Sequence, residues 1–300
     1  MQFLFNKLQE RIHTIFDGRI CGRLFVLEDE MEEFQVSVLI PFYKAENYFD
    51  ECMNSVLNQT HKPAEIIVVN DNSGGRAREY LKKFEAVAKV IHLDESHGVA
   101  GARNVLLKHA SFDWIAFQDA DDVWELTKLE EQVRFLEEHS DYVGCHTGVT
   151  TFNSSGALNQ YTDKPSPLGI KDLMMGSHVT PPSLLINRGI VQELGGFDTN
   201  FVTSSDYEFS IRLVKAGNKI GFVAKPLIRV RRSDHGNISS NGFRTFRSHV
   251  KLVKKHKDLF VDTAGYSGIR KFLAKSLRES GGKIQGLKGK LVYYIGVVLR

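Results

Sequence analysis

Four short apolar runs, each followed by a segment of helical periodicity, constrain this chain more than any other feature. Residues 36–42 (VSVLIPF), 66–69 (IIVV), 90–93 (VIHL) and 114–117 (WIAF) have the length and composition of strands buried on both faces. Between them, residues 51–58, 78–88 and 101–109 read as helices, the first with Phe49, Cys52, Met53, Val56 and Leu57 along its apolar face. Strands that alternate with helices need crossover connections, which predicts an α/β domain with a mostly parallel sheet flanked by helices. In such sheets the ligand crevice lies beyond the carboxyl ends of the strands. Asp71 follows the second run and Asp119 and Asp121 follow the fourth, so three carboxylates from distant parts of the chain converge on one edge.

A further helix is predicted with Leu126, Leu129, Val133 and Leu136 on one face. Residues 140–240 are less regular and rich in Gly, Ser and Pro, including Pro165, Pro167, Pro181 and Pro182, a composition suited to variable binding loops. Helical register returns with Phe243, Phe246, Val250 and Val253. The expected organisation is an amphipathic segment 1–33, an α/β domain 34–240 (halves 34–122 and 123–240), and a basic helical extension 241–300.

Charge separates the last of these segments from the rest. From Arg244 to Arg300 there are fourteen Lys or Arg against three acids, a net +11; the remaining 25 basic and 33 acidic residues give −8, which together make the net +3 of the whole chain. An acidic body with a basic tail points to an anionic surface. Nucleic acid fits the charge alone but is not expected, because the basic stretch has apolar helical periodicity and ends in an apolar run, features of a lipid-surface segment. That run, residues 291–299, is nine residues long, too short to cross a bilayer as a helix. At the other end Leu4, Leu8, Ile12 and Ile15 fit one helical face, while Lys7, Glu10 and Arg11 interrupt any secretory h-region. Cys21, Cys52 and Cys145 lack CxxC spacing, so neither a disulfide framework nor a zinc cluster follows, and a reducing cytosol fits. The expectation is a cytoplasmic protein, peripheral on the inner face of the membrane.

Asp119-Ala120-Asp121 directly follows an apolar strand. Carboxylates one residue apart can hold a hard cation such as Mg2+ or Mn2+, which takes oxygen ligands and shares itself with substrate phosphates. Such a cation would neutralise a diphosphate leaving group. The same stretch would also serve as an acidic turn ahead of a helix; its place after a buried strand favours the cation. Asp71 can accept hydrogen bonds from a base N–H or a ribose hydroxyl, or simply belong to a turn, since Asn, Asp, Ser and Gly are turn residues. Residues 97–104 (HGVAGARN) run from a glycine loop into a helix, where the helix N-terminus and Arg103 suit phosphate. The loop has neither GxGxxG nor Walker spacing, so a dehydrogenase or a P-loop kinase is not supported. Asp206, just ahead of a helical stretch with Ile211, Leu213 and Val214, can act as a general base or as a first-turn acid. His235, in the polar loop 231–239, can complete a metal site, touch phosphate, or be exposed.

Taken in order, these segments resemble the family-2 glycosyltransferases, which have the GT-A fold, a Rossmann-like nucleotide-sugar-binding architecture. The resemblance rests on residues 36–43 (VSVLIPFY), 55–60 (SVLNQT), 65–73 (EIIVVNDNS), Gly98 with Ala102-Arg103-Asn104, 117–122 (FQDADD), 195–198 (GGFD), Asp206 and 232–239. It implies a nucleoside diphosphate sugar, usually a UDP-sugar, as donor. It implies Pro41, Tyr43, Glu46 and Asp71 around the nucleotide, Arg103 near the donor, Asp119 and Asp121 on donor and metal, and Asp206 as the base of an inverting displacement. Three positions depart from the family pattern: Lys44 where Asn is frequent, Asn70 where a first Asp is common, and Ser205 where an acid is frequent. With the basic tail, the resemblance implies bacterial cell-surface polysaccharide or lipopolysaccharide synthesis on a glycan or lipid-linked glycan acceptor. A sugar-phosphate nucleotidyltransferase would need a glycine- and lysine-rich loop after the first strand, which 41–46 (PFYKAE) is not. A binding protein of the same fold without catalysis would have no use for Asp119, Asp121 and Asp206.

Overall fold

A computed structural model describes residues 34–232, 241–284 and 286–298; the amphipathic segment 1–33 lies outside the described residues. The first three strands, β1 (Val36–Phe42), β2 (Glu65–Asn70) and β3 (Lys89–His92), and then β4 (Trp114–Phe117), pair in parallel, with β1 between β2 and β4 and β3 outside β2. The helices between them, α1 (Phe49–Leu57), α2 (Gly75–Leu81) and α3 (Gly98–His109), supply the crossovers. Side chains alternate between two cores: Leu39, Ile67, Val69, Ile115 and Phe117 point to the face covered by α3, while Val38, Ile40, Val68 and Ala116 point to the face covered by α1 and α2. Burial on both sides is why these strands read as continuous apolar runs rather than alternating ones.

Past β4 the parallel order gives way to a mixed sheet. The remaining strands are β5 (Val123–Trp124), β6 (Gly144–Asn153), β7 (Gly156–Tyr161), β8 (Leu184–Asn187) and β9 (Ile220–Arg231), and the whole runs β3-β2-β1-β4-β8-β6-β9-β5 with β7 paired to β6. β8 is antiparallel to both β4 and β6, β5 is antiparallel to β9, and β6 and β7 form a hairpin, while β6 and β9 are parallel. The α/β class is as expected; the all-parallel order is confined to residues 36–117, and beyond it only β6 and β9 pair in parallel among the described strands.

Two helix boundaries differ from the periodicity. The helix expected over 78–88 ends at Leu81 and tightens into a 3-10 turn at Lys82–Phe84. Leu126 precedes α4 (Lys128–Glu138) and is 56% exposed; the buried face of that helix is Lys128, Leu129, Gln132, Val133 and Leu136. The irregular half contributes the short α5 (Ile170–Leu173), α6 (Arg188–Glu193) and α7 (Ser205–Lys215). The expected C-terminal helices are α8 (Gly242–Lys255), α9 (Lys257–Gly282, broken at Gly265) and α10 (Gly286–Val298). They belong to the same compact unit as the sheet: Leu252, Val253, Phe260 and Phe272 join the core on the α3 and α7 face.

Candidate active site

The site forms where strands β1, β2, β4 and β9 end. The backbone N–H of Asp71 donates to Phe42 O (2.9 Å), and the N–H of Lys44 donates to Ser73 Oγ (3.0 Å), so the loops after β1 and β2 are tied together. Tyr43 stands 53% exposed on the first loop, beside the end of β1 that holds Pro41. Glu46 is further along the same loop and acts electrostatically on Tyr80 of α2. Asn70, one of the departures from the family pattern, is fully buried: its Oδ1 accepts from Ser73 N (3.0 Å) and its Nδ2 meets His92 Nδ1 (3.0 Å). An amide does this turn-building work without bringing in another buried charge.

Asp71 is buried and almost saturated with donors. Its carboxylate accepts from Ser96 Oγ (2.7 Å), His97 N (2.6 Å) and Gly98 N (3.0 Å). A carboxylate offers about four lone-pair positions, so three are used to hold the loop that opens α3. The anion sits at the positive end of that helix, where unpaired N–H groups need acceptors. In this geometry Asp71 orders the loop that opens α3.

One turn into α3, Arg103 is buried and its Nη2 pairs with Asp119 Oδ1 at 2.6 Å. Its guanidinium lies 5.6 Å from the ring centre of Phe197, and its buried Nε has no partner among the described residues. Asn104, next along the helix, clamps Phe197 through both backbone atoms (2.8 Å each), fixing the Gly195–Phe197 loop beside Arg103.

Asp119, Asp121 and Asp122 crowd together after β4. Asp122 N donates to Asp119 O (3.1 Å), and the buried Asp122 carboxylate accepts Arg231 N from the end of β9 (2.8 Å). Arg231 Nε donates to Asp121 O (3.0 Å), and its guanidinium pairs with Glu51 and stacks near Tyr48 and Phe152. Burial first, then the charge of Asp119, pushes the Asp121 carboxyl up to about 6. Burial and the charges of Asp121 and Asp119 push Asp122 up as well. This is the signature of negative charge that the fold leaves incompletely compensated. Among the described residues no group of three or more His, Cys, Asp or Glu side chains is set to hold a metal by itself. Two oxygen ligands that share a cation with substrate phosphates do not require such a group. His235 lies outside the described residues.

Asp206 occupies the first turn of α7. Its carboxyl is raised by burial, lowered by Arg103 and raised again by Asp119, which brings it within electrostatic reach of both. The structure therefore gathers Arg103, Asp119, Asp121 and Asp206, with Asp71 and Tyr43 on the adjoining loops. Lys44, Asn72 and Ser204 are the non-glycine residues with left-handed backbone among those described (φ +50°, +54° and +64°), and each lies on a loop carrying one of these side chains. Such conformations are costly for side-chain-bearing residues and collect at functional sites.

One supporting residue has no signal in the sequence. Glu208, two residues after Asp206, is fully buried and accepts from Arg212 Nε (2.9 and 3.0 Å), Lys255 Nζ (2.7 Å) and His256 Nε2 (3.2 Å). Despite burial, those partners hold its carboxyl down at about 2. Lys255 also reaches Asp198 (2.7 Å), so the helix that carries Asp206 is fastened to the start of the C-terminal helices.

Fold and site together define a glycosyltransferase of the GT-A class, with acidic residues at the carboxyl edge of the sheet. The chain belongs to glycosyl transferase family 2: the family model matches residues 37–194. A relative from Bacillus subtilis (strain 168), TuaG, provisionally assigned as a teichuronic acid biosynthesis glycosyltransferase, is 32% identical over 187 residues, 61% of this chain and 73% of that protein. The Escherichia coli enzyme WfgD, a UDP-Glc:alpha-D-GlcNAc-diphosphoundecaprenol beta-1,3-glucosyltransferase, is 27% identical over 222 residues, 72% of this chain and 84% of that protein. Among solved structures, residues 1–349 of S. aureus TarS in complex with UDP-GlcNAc superpose with a TM-score of 0.61 at 18% identity, covering 88% of each chain. That likeness is one of fold.

Proposed function

We propose that this chain transfers a sugar from a UDP-sugar to a hydroxyl of a lipid-linked cell-surface glycan, inverting the anomeric centre. The observation that carries the reading is the meeting of Asp206 with the Arg103–Asp119 pair and Asp121 at the carboxyl edge. Asp206 has no ion-pair partner among the described residues and a raised affinity for protons, the properties of a general base. As the acceptor oxygen attacks the anomeric carbon, its proton passes to Asp206 and UDP departs with the electron pair of the bond to the β-phosphate. Arg103, buried and with an unpartnered Nε, is suited to the developing phosphate charge. Asp71 keeps the loop at the start of α3 in shape, and Pro41, Tyr43 and Glu46 lie on the neighbouring loop, where the nucleotide is proposed to lie.

Asp119 and Asp121 fit a hard divalent cation, because they are oxygen ligands and burial with the charge of Asp119 holds Asp121 against ionisation despite the charges of Arg231 and Arg232. When bound, Mn2+ or Mg2+ neutralises the diphosphate leaving group. The donor assignment is supported by the TarS complexes with UDP and UDP-GlcNAc, and the lipid-linked acceptor by the name of WfgD. No described helix is long and apolar enough to cross a membrane, and the reading has the enzyme working from the cytoplasmic face.

Calorimetric titration of UDP in Mn2+ and then in EDTA tests the site. Metal-dependent binding is expected. Binding that is identical in EDTA would remove the cation from the proposal, and an absence of binding in both would remove UDP. Binding of UDP without turnover of any UDP-sugar would favour the non-catalytic reading.

A further inference from the structure

The amphipathic helix at the start of the basic extension is held to the body. Leu252 and Val253 of α8 are buried in the core, Thr203 Oγ1 donates to Ser248 Oγ (2.8 Å) and Lys251 Nζ donates to Asn200 O (3.0 Å), while Phe243 in its first turn stays 51% exposed. α10 is different. It rests on α9 through a seam of small residues, where a side chain at Gly289 would lie 2.8 Å from Gly281 O and one at Gly296 would lie 2.8 Å from Ala274 O. Arg278 Nη1 completes the seam by donating to Gly296 O (3.2 Å).

On the side opposite the two glycines the helix is apolar and open. The i, i+3, i+7 spacing stacks Leu291, Tyr294 and Val298 on one face, and they are 62%, 63% and 85% exposed. Lys288 and Lys290, both exposed, fall on either flank of that face. Apolar side chains at the centre, a tyrosine whose hydroxyl suits the headgroup level, and lysines at the flanks are the arrangement of a helix lying in a bilayer interface. The two flanking lysines give this face the charge that an anionic headgroup layer complements.

We infer that α10 is an interfacial anchor that lays its Leu291–Tyr294–Val298 face into a bilayer with anionic headgroups, with Lys288 and Lys290 on the headgroup phosphates. The inference stands apart from the donor site, so UDP titration serves as an independent control.

Co-flotation of the full chain with phosphatidylcholine vesicles, and with vesicles also containing phosphatidylglycerol, reads the interaction. Binding is expected to the second and to weaken with added salt. Lys288→Gln/Lys290→Gln should lower partitioning to the anionic vesicles about thirtyfold. Leu291→Glu/Tyr294→Glu should abolish flotation on the phosphatidylglycerol vesicles, and, as both side chains are exposed, should leave the melting temperature and UDP titration unchanged. Full flotation of the Leu291→Glu/Tyr294→Glu chain would overturn the proposal. So would a lipid-free dimer that this double substitution splits.

Discussion

Removing the charge of Asp121 is expected to inactivate the enzyme and stabilise it at the same time. The Asp121 carboxyl is held at about 6 against an ordinary 3.8. That gap corresponds to about 3 kcal/mol against the ionised form in the folded chain. Part of it belongs jointly to Asp119 and Asp122, so Asp121→Asn, which keeps the shape and loses the charge, should recover roughly 2 kcal/mol. The sign follows from proton uptake. Between about pH 4 and pH 6 the folded chain keeps a proton that the unfolded chain has released, so the parent loses stability as pH rises through that window, and above it bears the whole cost. Thermal melts in EDTA at about pH 8 should therefore put the variant about 3 °C above the parent, and the difference should shrink toward zero near pH 4. Mn2+ with UDP should raise the melting temperature of the parent and leave the variant unmoved, while donor turnover is lost. A variant less stable than the parent at about pH 8 would refute the electrostatic reasoning. Unchanged metal-dependent turnover would take Asp121 out of the site.

Asp206→Asn should bind UDP as the parent does while transfer falls by about 10²–10⁴-fold; near-normal transfer would assign the base elsewhere. Glu208→Gln leaves Arg212, Lys255 and His256 facing a neutral group and should cost about 3–5 kcal/mol in a urea titration. Because the Glu208 carboxyl is held down at about 2 rather than 4.5, its stabilisation is full above about pH 4.5 and is lost as pH falls toward 2. A parent and variant of equal stability at neutral pH would show that the buried cluster holds nothing.

The half of the fold that could be read from the sequence is the half buried on both sides. β1, β2 and β4 alternate their side chains between two apolar cores, so every position carries signal, and the acidic residues that end β2 and β4 stand out against it. β7 (GALNQY) is exposed along its whole length and has no apolar pattern to detect. β9 is interrupted by Lys225 and Pro226 where its register with β6 shifts. Roles that depend on partners far along the chain were equally hidden. Asp71 reads as a turn residue or a nucleotide ligand, and only the fold reveals that it caps a loop 25 residues away. Glu208 looks like an ordinary helical acid until Lys255 and His256 arrive from the next segment. Leu126 matched the helical period of its neighbours but falls before the helix begins, because α4 starts only at Lys128.

The position of Asp206 and Glu208 on α7 joins the proposed site to the C-terminal helices. Residues two apart on a helix point about 200° away from each other, so α7 presents Asp206 to Arg103 and Asp119 and Glu208 to the junction of α8 and α9. The same junction is packed by Leu252 and Phe260, and α9 in turn carries α10 on its glycine seam. The basic extension is therefore both the support of the helix that bears the proposed base and the element that bears the proposed lipid-facing side chains. Deleting residues 244–300 would remove a core layer and two partners of the buried Glu208 carboxylate, Lys255 and His256, along with any membrane contact, so a loss of vesicle binding in the truncated chain would say little about lipid. Substitutions confined to the outer face of α10 separate the two roles, because that face touches neither Glu208 nor the core.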